Sequence, residues 1–263
     1  PKTKVLWKVR LWDENDGAGE WAKAAFETGI HTWSAKWITG NYQVNKKERY
    51  PVDCFRKAFR AAEVKKARLY ITACGLYEAA INGRSVGDFV RTPGITDYRK
   101  RVQYQTYDVT ALLQDGENAL TVQLADGWYR GSCGAWGLKN QYGTETKLLA
   151  QLELTCADDS IQVITSDESW NWSNDGSIRF ADNKDGEIVD ARKEPTYAGK
   201  AKVANHSVTP TASNNVPVTE HERLKPKRIT TPSGKTVLDF GQNIAGYAEF
   251  TVTAHAGEKI KLR

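Results

Sequence analysis

The sequence contains no methionine, and only four of its 263 residues are cysteines. None of the cysteines forms a Cys-x-x-Cys pair, so a structural zinc site is not expected. A chain of this length does not need disulfides to be stable, and we expect reduced thiols and a cytoplasmic location, with secretion as the alternative. Because gene products begin with methionine, the start at Pro1 indicates a processed or engineered fragment that could have lost a signal peptide.

Long hydrophobic runs and blocks of a single charge are also missing. No apolar run approaches the roughly 18 residues that a membrane-crossing helix needs, so no membrane partner is expected. The formal net charge of +5 is dispersed among acidic residues, and the densest basic segments are residues 46–49 and 99–101. A nucleic-acid-binding surface requires a basic stripe on one face, so no nucleic-acid partner is expected either.

Helical periodicity is scarce, and short alternating runs of apolar and polar residues take its place. Leu120, Val122 and Leu124 alternate with polar residues, which is typical of a half-buried strand. The pair Asn82-Gly83 predicts a tight hairpin turn, because both central residues of a type I′ turn need positive φ. Only residues 108–113 resemble a helical turn. The chain is therefore predicted to be all-β, in sheets that form a sandwich.

The strand pattern predicts four parts along the chain. Residues 1–32 hold two strand-like runs, too few to be stable alone. Residues 33–200 hold six or more short strands, which is typical of a jelly roll. Residues 201–222, rich in Thr, Ser, Asn and Pro, are interpreted as a linker or an edge segment. Residues 223–263 are interpreted as the start of another β unit, with a strand expected at 247–253 and one at 258–263.

Several short motifs stand on predicted strands or at their ends. They are residues 75–78 (GLYE), 81–84 (INGR), 92–98 (TPGITDY), 104–110 (YQTYDVT), 126–131 (DGWYRG), 186–192 (GEIVDAR) and 238–246 (LDFGQNIAG). The order and spacing of these motifs resemble the N-terminal, non-catalytic region of the bacterial α-L-rhamnosidases. The resemblance covers nearly the whole chain, and DGWYRG is its most specific part.

The resemblance implies a jelly-roll β-sandwich flanked by a partial fibronectin-like unit and a partial second β-sandwich unit. In that family, a separate (α/α)6 barrel carries the catalytic acid and base and hydrolyses terminal α-L-rhamnosyl residues with inversion. Residues of that barrel are absent from this sequence, so no catalytic residue is assigned and the fragment is expected to be inactive alone. The implied partners are the missing barrel of the same polypeptide and rhamnose-containing glycans.

Sugar binding is the function that the resemblance leaves open for the jelly roll. In some members of the family this module binds rhamnose through a calcium ion, and calcium prefers several oxygen ligands. The acidic candidates are Asp97, Asp126 and Glu187, with Asp97 as a possible calcium ligand. The family pattern places Asn after the aspartate, where this sequence has Tyr98, so a calcium site is in question and no cofactor is required.

Aromatic rings are the other route to a sugar site, because the apolar face of a pyranose stacks on Trp or Tyr. Trp128, Tyr129, Trp136 and Tyr142 cluster in a Gly-rich stretch and are the candidates. The alternative is that these rings pack in the core or between domains. Asp190 and Arg192 are predicted to form a structural ion pair on one strand face.

Three functions therefore stay open: an accessory region of a rhamnosidase, an autonomous carbohydrate-binding module, and a structural β-sandwich array without sugar contacts. The exposure of Asp97, Asp126, Trp128 and Trp136 is the observation that separates them, because a purely structural array would bury all four.

Overall fold

A computed structural model of the chain describes residues 1–255 and 257–260. These residues form two compact units, residues 1–219 and residues from 220 onward. Regular structure is almost entirely β. The exceptions are a single α-helical turn, α1 (Gly127–Arg130), and a 3₁₀ turn at Thr110–Leu112. In the described residues no helix has both the length and the apolar character needed to cross a membrane. The all-β prediction is confirmed.

The strands are short and follow one another closely along the chain. In chain order they are β1 (Lys4–Val9), β2 (Ala22–Glu27), β3 (Ile38–Thr39), β4 (Asp53–Ala61), β5 (Val64–Cys74), β6 (Leu76–Ile81), β7 (Arg84–Ser85), β8 (Gln103–Asp108), β9 (Gly116–Ala125), β10 (Lys147–Cys156), β11 (Ile161–Thr165), β12 (Asn171–Ser173), β13 (Ile178–Asp182), β14 (Gly186–Val189), β15 (Gly199–Lys200), β16 (Lys202–Val203), β17 (Thr211–Ala212), β18 (Lys227–Thr230) and β19 (Thr236–Asp239).

Two sheets form a β-sandwich in the first unit. One sheet has the order β16-β3-β10-β5-β8-β17, with β11 also paired to β10, and the other has the order β15-β12-β4-β9-β6-β7. Apolar side chains from both sheets meet in one buried core, which includes Phe55, Leu69, Leu124, Leu152 and Trp170. Because side chains alternate across a strand, the run Leu120, Val122, Leu124 on β9 places every second residue in this core, as the sequence pattern predicts.

The turn between β6 and β7 has the predicted type of geometry. Asn82 has a φ of 52° and Gly83 a φ of 77°. Glycine adopts this conformation without steric cost, and asparagine tolerates it better than most other residues. The Asn82 side chain also donates to the backbone carbonyl of Leu112 at 3.1 Å, which ties the turn to the neighbouring 3₁₀ segment.

The N-terminal hairpin is attached to the sandwich by polar contacts. Strands β1 and β2 pair only with each other. Glu27 forms ion pairs with Lys66 and Arg68, each at 3.2 Å. The apolar face of the hairpin stays exposed in this structure, with Trp7 48% and Phe26 53% accessible.

Residues 201–219 pack along the edges of the sandwich. Strand β16 pairs with β3, and β17 pairs in parallel with β8. The domain boundaries at residues 32, 200 and 222 stay predictions.

In the second unit, β18 and β19 form an antiparallel hairpin. The strand predicted at 247–253 is wrong, because these residues adopt no strand. Their apolar side chains are exposed, Tyr247 at 61% and Phe250 at 53%, and a strand without a paired neighbour is not stable. Of the strand predicted at 258–263, residues 258–260 are not a strand, and 261–263 lie outside the described residues.

Candidate functional site

The most specific motif, residues 126–131, forms the helical turn α1 directly after β9. Gly127 allows this turn, because its φ is 52° and its Cα lies against β6. A Cβ at this position would lie 2.7 Å from Leu76 Cγ and 2.9 Å from the backbone carbon of Gly75. Position 127 therefore requires glycine, both for its backbone conformation and for its close contact with β6. The turn directs the side chains of Tyr129 and Arg130 into different parts of the interior.

Arg130 enters a buried polar network. Its side chain is only 5% exposed. Its Nε donates to Asp126 Oδ1 at 2.7 Å, and its Nη1 donates to the Tyr42 hydroxyl at 2.6 Å. Tyr42 in turn donates to Asp53 Oδ2 at 3.4 Å. The motif's arginine therefore links its own aspartate to a second carboxylate at the start of β4.

Asp53 is fully buried and is held by three donors. Besides Tyr42, Thr146 Oγ1 donates to Oδ2 at 2.6 Å and Trp172 Nε1 donates to Oδ1 at 2.9 Å. Burial raises the pKa of Asp53, and the nearby Arg130 opposes that rise. Burial likewise raises the pKa of Asp126, against the charge of Arg130. Both carboxyl groups therefore depend on the same guanidinium for compensation of their charge.

Sequence reasoning did not find Tyr42, Asp53 and Thr146, which lie far apart along the chain. The only signal was a charged residue, Asp53, at the first position of β4. A buried carboxylate at that point requires partners, but the sequence does not say which residues supply them.

Tyr129 enters an aromatic cluster on the other side of the turn. Its ring meets Tyr98 edge-on, with centroids 5.4 Å apart, and Tyr98 meets Tyr142 at 5.1 Å. Trp128 is half-buried and packs against the same cluster. Three of the four aromatic candidates, Trp128, Tyr129 and Tyr142, are therefore brought together, and they are largely packed against protein.

Trp136 is the exception among the aromatic candidates. Its side chain is 88% exposed, and it lies in a short loop closed by a bridge between Cys133 and Leu138. Lys184 anchors this loop, because its Nζ donates to the Gly134 carbonyl at 2.8 Å. An exposed tryptophan on an anchored loop provides a flat apolar surface to a ligand or to another domain.

The acidic candidates do not assemble into one metal site. Asp97 receives Arg99 Nε at 2.9 Å and Nη2 at 3.3 Å, and this hydrogen bonding with Arg99 lowers the pKa of Asp97. Asp126 is engaged by Arg130. Glu187 is an exposed residue of β14, and partial desolvation together with the charge of Glu78 raises the pKa of its carboxyl group. The described part of the chain contains no group of three or more His, Cys, Asp or Glu side chains that could hold a metal ion.

The ion pair predicted between Asp190 and Arg192 is confirmed, with Nε to Oδ1 and Nη2 to Oδ2 both at 2.8 Å. The pair lies just after β14 rather than on a strand, because the chain turns at these residues. The guanidinium of Arg192 donates two hydrogen bonds to the carboxylate of Asp190, two residues earlier in the chain, and the Arg192 side chain is 72% exposed.

Comparison with protein families gives two matches. The family described as the α-L-rhamnosidase N-terminal domain matches residues 62–231. The bacterial α-L-rhamnosidase concanavalin-like domain matches residues 229–263.

Comparison with individual proteins points the same way. An α-L-rhamnosidase of Formosa agariphila is 35% identical over 100% of this chain and 31% of its own length. One of Streptomyces avermitilis is 44% identical over 76% of this chain and 21% of its own length. The crystal structure of the Aspergillus terreus enzyme has a TM-score of 0.81 and 35% identity over 92% of this chain and 30% of that one. This chain thus spans at most about a third of these relatives.

Proposed function

This chain belongs to the α-L-rhamnosidase family as its N-terminal region, and we propose that it is a non-catalytic accessory region of such an enzyme. In this proposal a separate helical barrel of the same polypeptide hydrolyses terminal α-L-rhamnosyl residues. The relatives are about three times as long as this chain, which leaves room for such a domain. The β-sandwich would then support the barrel or present the glycan to it.

The observation that carries the proposal is the structural use of the family's most specific motif. Inverting glycosidases need two available carboxyl groups about 6.5–9.5 Å apart, with space for a water molecule. The motif's only carboxylate, Asp126, is 13% exposed and ion-paired with Arg130 at 2.6 Å. Its tyrosine is 4% exposed in an aromatic cluster. A motif packed in this way supports a structural role, because its carboxylate is held by Arg130 inside the fold and not presented to a substrate.

The first test is hydrolysis of an aryl α-L-rhamnoside by the purified chain. We expect release of the aryl alcohol at the uncatalysed rate, because the chain would lack the acid and base. A full-length α-L-rhamnosidase, assayed in parallel, provides the positive control. Turnover that follows the chain through purification, in proportion to its concentration, would contradict the accessory role.

A second candidate function is an autonomous carbohydrate-binding module, and the exposure of Trp136 favours it over a purely structural array. Of the four residues that separate these alternatives, Asp97, Asp126 and Trp128 are partly buried, whereas Trp136 is not. Calcium at Asp97 would compete with Arg99, because the arginine donates to both carboxylate oxygens and its positive charge repels a cation.

The module is tested by titrating the chain with L-rhamnose, with and without calcium, in a calorimeter. We expect millimolar binding that weakens by about tenfold in Trp136→Ala, since stacking on an exposed ring contributes roughly 1–1.5 kcal/mol. Trp12→Ala is the matched control, because Trp12 is also exposed, at 55%, but lies on the N-terminal hairpin. The module is excluded if Trp136→Ala and Trp12→Ala lose affinity for L-rhamnose equally. It is also excluded if millimolar L-rhamnose produces no heat of binding either with or without calcium.

A further inference from the structure

A cleft lies beside the buried network of Arg130, between two loops of the first unit. One wall comes from the segment 44–50, which contains one of the two densest basic segments of the sequence, and includes Lys46, Glu48 and Arg49. The other wall is formed by Gly131, Lys139 and Asn140. Phe180 and Asp182 of β13 also line it. Neither the resemblance nor the predicted sugar-binding residues assign the basic wall of this cleft a role.

The cations of the cleft are held in place but keep unused donors. The guanidinium of Arg49 lies over the Phe180 ring, 4.5 Å from its centroid. Arg49 and Lys139 share a single carboxylate, Asp185, at 2.6 Å and 3.0 Å. Because arginine has five N–H donors and lysine three, one shared carboxylate leaves most of these donors without a protein acceptor. Lys46, which also carries an ammonium group, lines the same wall.

Most acceptors of the cleft, by contrast, are already engaged. Glu48 accepts Asn45 Nδ2 at 2.9 Å on Oε1, and its other oxygen is the exception. Asp182 accepts the backbone N–H of Ser132 at 2.7 Å on one oxygen, and those of Lys184 at 2.8 Å and Asp185 at 3.0 Å on the other. Asp126 is paired with Arg130. The N–H donors of Lys46, Arg49 and Lys139 therefore outnumber the acceptors that remain, including the second oxygen of Glu48. The cleft is suited to a ligand rich in acceptors.

We propose that this cleft binds the carboxylate of an acidic saccharide, a uronate residue, through Lys46, Arg49 and Lys139. The inference rests on the proposed carbohydrate-binding function and adds an anionic sugar to it. The loop whose base lines the cleft carries the exposed Trp136, which is available to stack on a sugar ring. A carboxylate matches the planar donor edge of Arg49, whereas a neutral hydroxyl would leave the charged donors without an anionic partner.

The test compares two ligands that differ only in this carboxylate, methyl β-D-glucuronide and methyl β-D-glucoside, with sodium acetate as the carboxylate alone. Dissociation constants are measured on the whole chain by ligand-observed NMR at low salt and at 200 mM NaCl. We expect the glucuronide to bind at least fivefold more tightly than the glucoside or acetate. Its affinity is expected to fall at high salt, since exposed charges are screened.

Variants of the wall then locate the site. Lys46→Gln and Lys139→Gln are each expected to weaken glucuronide binding by about two- to fivefold, the usual size of an exposed charge contact. The double variant is expected to weaken it by about tenfold. Lys65→Gln is the matched control. Lys65 lies near the start of β5, where it forms an ion pair with Asp159, and this point follows the end of β4 opposite to Asp53. The substitution should therefore leave binding unchanged.

Equal affinity for glucuronide and glucoside, equal weakening by Lys65→Gln, or no glucuronide binding at tens of millimolar would each overturn the inference. The L-rhamnose titration separates this outcome from failure of the binding module. Rhamnose binding without glucuronide binding removes only the acidic-sugar site, whereas absence of both removes the module as well.

Discussion

Replacement of Arg130 by methionine is expected to lower the free energy of unfolding by about 3–5 kcal/mol, which is typical when one partner of a buried ion pair is removed. The side chain of Arg130 is 5% exposed and that of Asp126 is 13% exposed, so solvent compensates little of the charge of the carboxylate that stays behind. The charge of Lys139 is a weaker influence on Asp126 than that of Arg130. Asp53, fully buried behind Tyr42, loses the same favourable charge. Urea denaturation followed by tryptophan fluorescence measures the change.

The matched control is Arg192→Met. Arg192 also pairs with an aspartate through short contacts, but it is 72% exposed, and exposed pairs contribute about 0–1 kcal/mol. The double variant Asp126→Asn with Arg130→Met should recover part of the lost stability, because the unpaired charge at Asp126 is removed. Similar losses for Arg130→Met and Arg192→Met would contradict the structural role of the network.

The second large effect is expected for Gly127→Ala, at about 3 kcal/mol of destabilisation. A residue with a side chain in the left-handed region loses about 1–2 kcal/mol. The added methyl group would also lie 2.7 Å from Leu76 Cγ and 2.9 Å from the Gly75 backbone, and relief of such an overlap costs about 1–3 kcal/mol more. The midpoint of urea unfolding reports the sum.

Gly134→Ala separates the cost of the left-handed backbone conformation from the cost of steric overlap. Gly134 has a φ of 68°, close to the 52° of Gly127, but a Cβ there would meet no atom within 4 Å. Only the conformational part, about 1–2 kcal/mol, should then be lost. If the two variants lose equal stability, close packing of α1 against β6 does not determine the conformation of the motif.

Much of the fold was accessible from local patterns. The alternation of apolar and polar residues on β9 and the Asn82-Gly83 turn both depend on residues that are adjacent in sequence. Both are present in the structure as predicted. Residues 247–253 show the limit of such patterns. Their alternation is compatible with a strand, but a strand also requires a hydrogen-bonded neighbour, which the sequence of the segment does not specify.

The candidate site was predictable only in part. Trp128, Tyr129, Trp136 and Tyr142 were selected together as aromatic residues of a Gly-rich stretch, and the structure gives them different environments. The ring of Tyr129 is 4% exposed and that of Trp136 is 88% exposed, although the two residues are close in sequence. Which ring faces solvent depends on Tyr98 and on the anchoring of the loop by Lys184, and neither partner is a sequence neighbour.

The sequence by itself determined the all-β class, the family and the position of its most specific motif, because strand alternation, turn chemistry and motif order are local properties of the chain. Only the tertiary structure decided what that motif does. Folding of the two sheets brings Tyr42, Asp53 and Thr146 to Arg130, and a buried charge takes its partners from whichever segments the fold places beside it. For the same reason, Lys46 and Arg49 became part of one wall of a cleft only when β13 and the loop after α1 supplied the other sides.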